Sequence, residues 1–339
     1  MNRWLFLLFL MPLLGAGPQQ TLRPFHLSGK AQGTTWQLTY YAADSLVSHQ
    51  EIMDLLDQLD SSLSIYKPWS LINRFNGSDT GVIMDKHLRT VVVAALDTWR
   101  QTEGIFDVTI LPLVQAWGFG TKELNTMPDS LTILALKACV DSRYLSIEGN
   151  WLKKAKPCVK IDVNGIAQGY SVDEMASLLQ QKGIRDYLVE LGGELRVKGR
   201  RQPSGEPMTV GIEAPAKYDF EPRSLRKIIQ ITDSSAITTS GSYRKFVESN
   251  GKKISHILDP RTGYSAQNEL ISVTVLAPTA FMADAFDNAL MAMGLEKALA
   301  FTEAHPLLAA YCIYRKKDGS IADTASSRFY AITGNTQRP

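Results

Sequence analysis

LISVTVLAPTAFMADAFDNALMAMG, Leu270 to Gly294, is the stretch whose reading decides the fold. Its first seven residues are rich in β-branched side chains and predict a strand. Pro278 and Thr279 break that run and lead into a helix that stops at Gly294. Ala283, Phe286, Leu290 and Met293 share one helical face and predict a buried stripe. Asp284, Asp287 and Asn288, at i, i+3 and i+4, project from another common face. Two like charges one turn apart repel, unless a cation lies between them or water screens them. Oxygen donors suit Mg²⁺ or Ca²⁺ rather than zinc, and the alternative is an ordinary solvated face.

Working outward, Leu308 to Tyr314 and Phe329 to Ile332 are expected as the last strands. Upstream, Thr34 to Tyr41, Cys158 to Val163, Tyr187 to Leu191 and Met208 to Ile212 have strand character. Ser48 and Glu51 form a capping box ahead of Ile52, Leu55, Leu56, Leu59 and Leu63 at helical spacing. A second helix is expected from near Lys86 to Glu103, with Leu88, Val92, Ala95 and Trp99 inward and Gly104 as its stop. A third places Val172, Met175, Ala176 and Leu179 on one face and closes at Gly183. Strands and helices mix without a strict βαβ rhythm, which favours α+β over a doubly wound sheet.

The 339 residues can bury a substantial core, as one large domain or two closely packed lobes. Thirty-six Lys plus Arg against 34 Asp plus Glu, with no basic stripe, exclude nucleic acid as a partner. Residues 1–17 have the build of a secretory signal peptide: Arg3, the apolar run from Trp4 to Leu14, then Gly15, Ala16 and Gly17. Export to the periplasm follows as the expectation, with retention at the inner membrane by an uncleaved leader as the alternative. Cys139, Cys158 and Cys312 are too few for a disulfide framework, although one pair could form in an oxidising compartment.

Four other segments gather chemistry. Ser255 to Gly263, SHILDPRTG, brings an imidazole, a carboxylate, a guanidinium and a hydroxyl into one tight loop. Ile161 to Tyr170, IDVNGIAQGY, runs from a strand end across two glycines into a helix, where backbone N–H groups can meet an anion. Ala236 to Arg244, AITTSGSYR, is either a turn for a polar ligand or a hydroxyl-rich loop. Gly104 to Gly120, GIFDVTILPLVQAWGFG, sets aromatics beside glycines, as slot walls or as plain core.

The order of these segments is more telling than any one of them. GTTW (Gly33–Trp36), SIY (Ser64–Tyr66), SLINRFN (Ser70–Asn76), GIFDVTILPLVQAWGFG, IDVNGIAQGY, LVELGGELR (Leu188–Arg196), TTSGSYR, SHILDPRTG and ADAFDNALMAMG follow one another. Together they resemble the ApbE family, the FAD:protein FMN transferases, over nearly the whole mature chain. The resemblance implies a single α+β domain over residues 18–339, with T-fold-type mixed sheets, packed helices and an FAD cleft between two lobes. It implies Mg²⁺ on the pyrophosphate of FAD and attack by a target Thr or Ser hydroxyl on the riboflavin-side phosphorus, with AMP leaving. By matching position, Asp284, the Gly165 carbonyl and Asn288 are the metal ligands. Tyr66 borders the isoalloxazine, and Gln32, Ile105, Phe106, Asp107, Asp162, Gln168 and Leu258 contact FAD. His256 is the general base, with Asp259 the alternate. The partners implied are FAD and exported or membrane-associated flavoprotein subunits bearing the target hydroxyl.

Three positions depart from the family's habit: Asn288 for a common Thr, Gln168 for a common Lys, and Gln32 for a frequent Met. An amide oxygen can still bind Mg²⁺, and neighbouring Asp287 can assist. Hydrolysis of FAD to FMN and AMP is the second reading, and a non-catalytic flavin carrier the third. The presence of Asp284 and His256 argues against the carrier.

Overall fold

A computed structural model describes residues 21–121, 126–214, 224–231, 234–242, 246–249 and 252–334. The expected leader, residues 1–17, and Tyr243 and Arg244 of the hydroxyl-rich segment lie outside those residues. Eight strands form the central sheet: β1 (Arg23–Ala31), β2 (Thr34–Ala42), β3 (Asp186–Leu191), β4 (Glu194–Lys198), β5 (Ser235–Gly241), β6 (Leu270–Ala277), β7 (Ala309–Arg315) and β8 (Ile321–Ala325). Their order across the sheet is their order along the chain, and every neighbouring pair is antiparallel. An up-and-down sheet with helices inserted between strands is the α+β arrangement expected from the sequence.

The helices are α1 (His49–Leu63), α2 (Leu71–Gly77), α3 (Lys86–Gln101), α4 (Leu111–Ala116), α5 (Ser130–Lys137), α6 (Ala167–Gln181), α7 (Ala280–Met293), α8 (Leu295–Ala304) and α9 (Ser327–Thr333). The first six fall between β2 and β3, and α7 and α8 between β6 and β7. The capping box is formed at α1: Glu51 N–H donates to Ser48 Oγ at 3.2 Å, and Ser48 N–H to Glu51 Oε2 at 2.9 Å. No helix among the described residues is long and apolar enough to cross a membrane.

Each face of the sheet has its own core. Trp36, Leu38 and Tyr40 of β2, Tyr187 and Val189 of β3, and Val273 and Val275 of β6 pack beneath α1, α6 and α7. Val197, Ile237, Leu276, Tyr311 and Ile313 face the other way, beneath α9 and the hairpin of Met208–Glu213 with Leu225–Ile231. Strand β6 is therefore buried along its whole length, which explains the near-continuous apolar run of LISVTVL. A third, small core of Leu113, Trp117, Ile133 and Leu258 lies between α4, α5 and the SHILDPRTG loop.

Four local expectations change. Phe329 to Ile332 lies in α9, which starts after Ser326 and buries Phe329; four residues of β-rich composition are too few to separate a strand from a helical turn. Cys158 to Val163 starts in a turn and joins no sheet, apart from an isolated bridge of Lys160 with Ile110. The carboxamide of Asn76 replaces the missing strand, accepting from Ile161 N–H at 2.7 Å and donating to Ile161 O at 2.9 Å. Thr238 to Gly241 is part of strand β5 rather than a loop. Helix α3 ends at Gln101, two residues early, with Gly104 at φ +81° donating its N–H back to Trp99 O at 2.9 Å. Cys139 and Cys158 form a disulfide, and Cys312 is free and buried.

Candidate active site

The centre of the site is the crossing of α6 and α7. Gly169 permits it: a Cβ there would stand 2.2 Å from Ala280 O and 2.7 Å from Asp284 Cβ. Asp284 Oδ2 accepts the Gly169 N–H at 2.8 Å, so α7 caps the first turn of α6. The turn before α6 is fixed by backbone bonds and by the Asp162 carboxylate. Asp162 N–H donates to Val108 O at 2.7 Å, Asn164 N–H to Asp162 Oδ1 at 2.9 Å, and Ala167 N–H to Val163 O at 2.9 Å. Gly165 is thereby placed opposite the polar face of α7.

That polar face is not solvated. Asp284 and Asp287 are 4% and 2% exposed. Burial pushes both carboxyl pKa values up, and for Asp287 the nearby charges of Asp284 and Glu194 add to it. Asp287 Oδ1 is fully buried without a hydrogen-bond partner, an arrangement that proteins rarely leave uncompensated. Two buried carboxylates one turn apart, one of them with an orphaned oxygen, fit a hard divalent cation. Among the described residues no group of three or more His, Cys, Asp and Glu side chains could hold a metal. A cation here would therefore draw on amide and backbone oxygens as well.

Asn288 and Gly165, which carry such oxygens, meet beside this pair. A Cβ on Gly165 would lie 3.2 Å from Asn288 Nδ2 and 3.6 Å from Phe106 Cε2, so the glycine keeps this junction open. Asn288 Oδ1 accepts from Ser240 Oγ of β5 at 2.8 Å. Phe106 is thus brought to the metal candidates, beside half-buried Ile105.

The remaining expected contacts surround this crossing unevenly. Gln32 sits in the β1–β2 turn at φ +52°, and its Nε2 donates to Ser171 Oγ on α6 at 3.0 Å. Gln168 reaches the β3–β4 turn, with its Nε2 2.6 Å from where a Gly192 Cβ would be. Gly192, at φ +65°, has both conformational and steric need to be glycine. Tyr66 is 57% exposed, and its hydroxyl accepts from Asn164 Nδ2 at 3.4 Å, which ties it to the IDVNG turn. Asn73 Nδ2 donates to the carbonyls of Ile65 and Lys67 at 2.9 Å each, so the backbone presenting Tyr66 is braced.

Asp107 has a different employment. Its carboxylate accepts Thr109 N–H, Thr109 Oγ1, Ser142 N–H and Ser142 Oγ at 2.6–3.0 Å. Burial raises its pKa against those donors. The carboxylate organises the loop, which leaves backbone groups as its means of touching a ligand.

His256, Leu258 and Asp259 are held from the side of α4 and α5. His256 is half-buried and meets Phe119 edge to face, with ring centroids 6.3 Å apart. Leu258 is buried in the small core. Trp117 Nε1 donates to Gly263 O at 2.9 Å, which anchors the far end of the loop. Arg261 Nε and Nη2 donate to the two Asp259 oxygens at 3.0 and 2.8 Å. Burial raises the Asp259 pKa, but these bonds and the Arg261 charge outweigh it and leave the carboxyl below its ordinary value. An Asp so held is a weak base.

Several contributors were invisible in the sequence. Asp173 accepts Ala280 and Phe281 N–H groups at 3.2 and 2.9 Å, capping α7 from α6. Glu194 on β4 is near enough for its charge to raise the Asp287 pKa. Ser240 stood in a hydroxyl-rich segment, yet nothing local assigned it to Asn288. Each of these pairs residues far apart in the chain, so no spacing rule could have found them.

The family model described as the ApbE family matches residues 32–312. The FAD:protein FMN transferase of Vibrio cholerae serotype O1 is 38% identical over 336 residues, covering 97% of this chain and 98% of that protein. That of Escherichia coli K12 is 35% identical over 302 residues, 86% of this chain and 84% of its own. Among solved structures, the flavin transferase ApbE from Vibrio cholerae superposes with a TM-score of 0.82 at 35% identity, covering 92% of this chain and 99% of that one. The apo flavinyl transferase ApbE of Pseudomonas stutzeri gives a TM-score of 0.82 at 33% identity, over 94% and 99%. With sequence and fold agreeing over nearly its full length, this chain belongs to the ApbE family and is a transferase.

Proposed function

We propose that this protein transfers FMN from FAD to a Thr or Ser hydroxyl of a target flavoprotein, with Mg²⁺, releasing AMP. The observation that most supports it is the buried Asp284–Asp287 pair with its orphaned oxygen at the first turn of α6. Asp284, Asn288 and the Gly165 carbonyl would hold the cation, with Asp287 completing the charge balance. When bound, the cation supplies neutralisation of charge on the phosphoryl oxygens and improves adenylate as a leaving group.

The chain's own residues do the rest. Tyr66 and Phe106 bracket the flavin end. His256 accepts the proton of the attacking hydroxyl. A new P–O bond then forms to the riboflavin-side phosphorus, the pyrophosphate P–O bond breaks, and AMP departs with the electron pair. The acceptors are exported or membrane-associated flavoprotein subunits. Export of the enzyme itself is supported by the leader-like residues 1–17 and by the Cys139–Cys158 pair, since disulfides persist in oxidising compartments.

The test combines purified protein, FAD, Mg²⁺ and an acceptor domain bearing a target threonine. In-gel flavin fluorescence on the acceptor is expected, together with stoichiometric AMP. Free FMN and AMP without labelled acceptor would establish the hydrolase instead, and FAD binding without turnover the carrier. Asp284→Ala should abolish metal-dependent turnover, and full activity in that variant would overturn the metal assignment.

A further inference from the structure

The orientation of one amide sets a requirement on its neighbour. Asn288 turns Oδ1 toward β5, where it accepts from Ser240 Oγ at 2.8 Å. Its Nδ2 is the atom that faces Gly165. An –NH₂ group has two donors and no lone pair available for a cation, so only the oxygen can ligate. For Asn288 to serve as a ligand beside Gly165 and Asp284, the amide must exchange its two ends. Nδ2 would then face Ser240.

Ser240 tolerates both arrangements because a hydroxyl donates and accepts. It is buried on a central strand, between paired Thr239 and Gly241, with Gly241 opposite Ser272 and Ser240 opposite Val273 of β6. Its backbone is therefore fixed, and reversing the hydrogen bond requires rotation of a hydroxyl only. A family member with Thr at position 288 has no amide to turn. The requirement thus arises from the departure at Asn288.

We propose that Ser240 is a positioning residue for divalent-cation binding in this chain. It donates to Asn288 Oδ1 in the cation-free protein and accepts from Nδ2 once the amide oxygen turns to the cation. The inference rests on the reading of Asp284, Asn288 and Gly165 as a cation site.

The experiment is a titration of the purified full chain with Mn²⁺ alone, following free Mn²⁺ by electron paramagnetic resonance, without FAD or acceptor. Wild-type protein is expected to bind one Mn²⁺, competed by Mg²⁺. Ser240→Ala should weaken that binding about tenfold, at the low end of losses seen when an outer hydrogen-bond partner of a metal ligand is removed. Ser240→Cys, near-isosteric and a poor acceptor, should do the same and serves if the alanine variant does not fold. Ser240→Thr, which keeps the hydroxyl, should restore affinity to within about twofold. In an Asn288→Asp background both ends of the side chain are oxygen, so adding Ser240→Ala should leave affinity unchanged. Wild-type binding with no loss in the alanine and cysteine variants would overturn the proposal, as would an equal loss in the Asn288→Asp background. No Mn²⁺ binding by the wild type would instead overturn the cation site itself.

Discussion

Asp173 on α6 accepts the first two N–H groups of α7, and Asp284 on α7 accepts the Gly169 N–H in the first turn of α6. Each helix caps the other, so the position of Asp284 is set by the crossing rather than by its own helix. Capping by a carboxylate satisfies orphan donors and suits the positive end of the helix dipole. The same crossing buries Asp284 and Asp287 together. Structure and candidate chemistry therefore depend on one contact.

Gly169→Ala should break that contact. The new Cβ would collide with Ala280 O and Asp284 Cβ, and overpacking together with loss of a charge-assisted bond costs on the order of 3 kcal/mol. Chemical denaturation checks this, with Gly77→Ala as control because a Cβ there meets nothing within 4 Å. Equal stability of the two variants would contradict the crossing as described.

The buried carboxyls should give the cation-free protein an unusual pH profile. The Asp284 pKa is pushed up to about 7 by burial, and that of Asp287 is raised in the same direction. Both groups bind protons more tightly folded than unfolded, so the Asp284 contribution is full below about pH 4 and is lost as pH rises through about 7, and that of Asp287 changes in the same sense. In EDTA the melting temperature should fall by a few degrees between pH 5 and 8. Saturating Mg²⁺ should shrink that fall, and Asp284→Asn should reduce it. Identical profiles with EDTA and Mg²⁺ would count against a cation at this site.

His256 and Asp259 should separate kinetically. His256→Ala is expected to lower kcat by about 10²–10⁴-fold with little change in KM for FAD. Asp259→Asn removes the partner of Arg261 and should act mainly on KM, by loosening the loop. The reverse pattern in acceptor-labelling kinetics would make Asp259 the base.

Opening the Cys139–Cys158 bond should cost about 3 kcal/mol, from the chain entropy of the 19-residue separation it closes. Urea unfolding of Cys158→Ser against wild type measures it. The bond ties the segment after α5 to the approach of the IDVNG turn, so FAD affinity should weaken as well. A variant with unchanged stability would show that the bond constrains little.

Local rules made much of this protein legible. The capping box at Ser48, the stripe through Ile52, Leu56, Leu59 and Leu63, and the β6 run all depend on residues within a few positions of one another. Spacing alone also put Asp284, Asp287 and Asn288 on one helix face. What it could not supply was the medium around that face. A solvated Asp pair and a buried one have the same spacing, and the difference lies in which distant residues cover them. Here Gly169 lets α6 approach closely, and β4 and β5 bring Glu194 and Ser240 to the other side. The same reason explains Cys158 to Val163, where strand-like sequence found the Asn76 carboxamide instead of a strand. Sequence determined the elements and the residue types of the site. Tertiary structure decided burial, and with it charge, because desolvation depends on neighbours that the chain brings together only by folding.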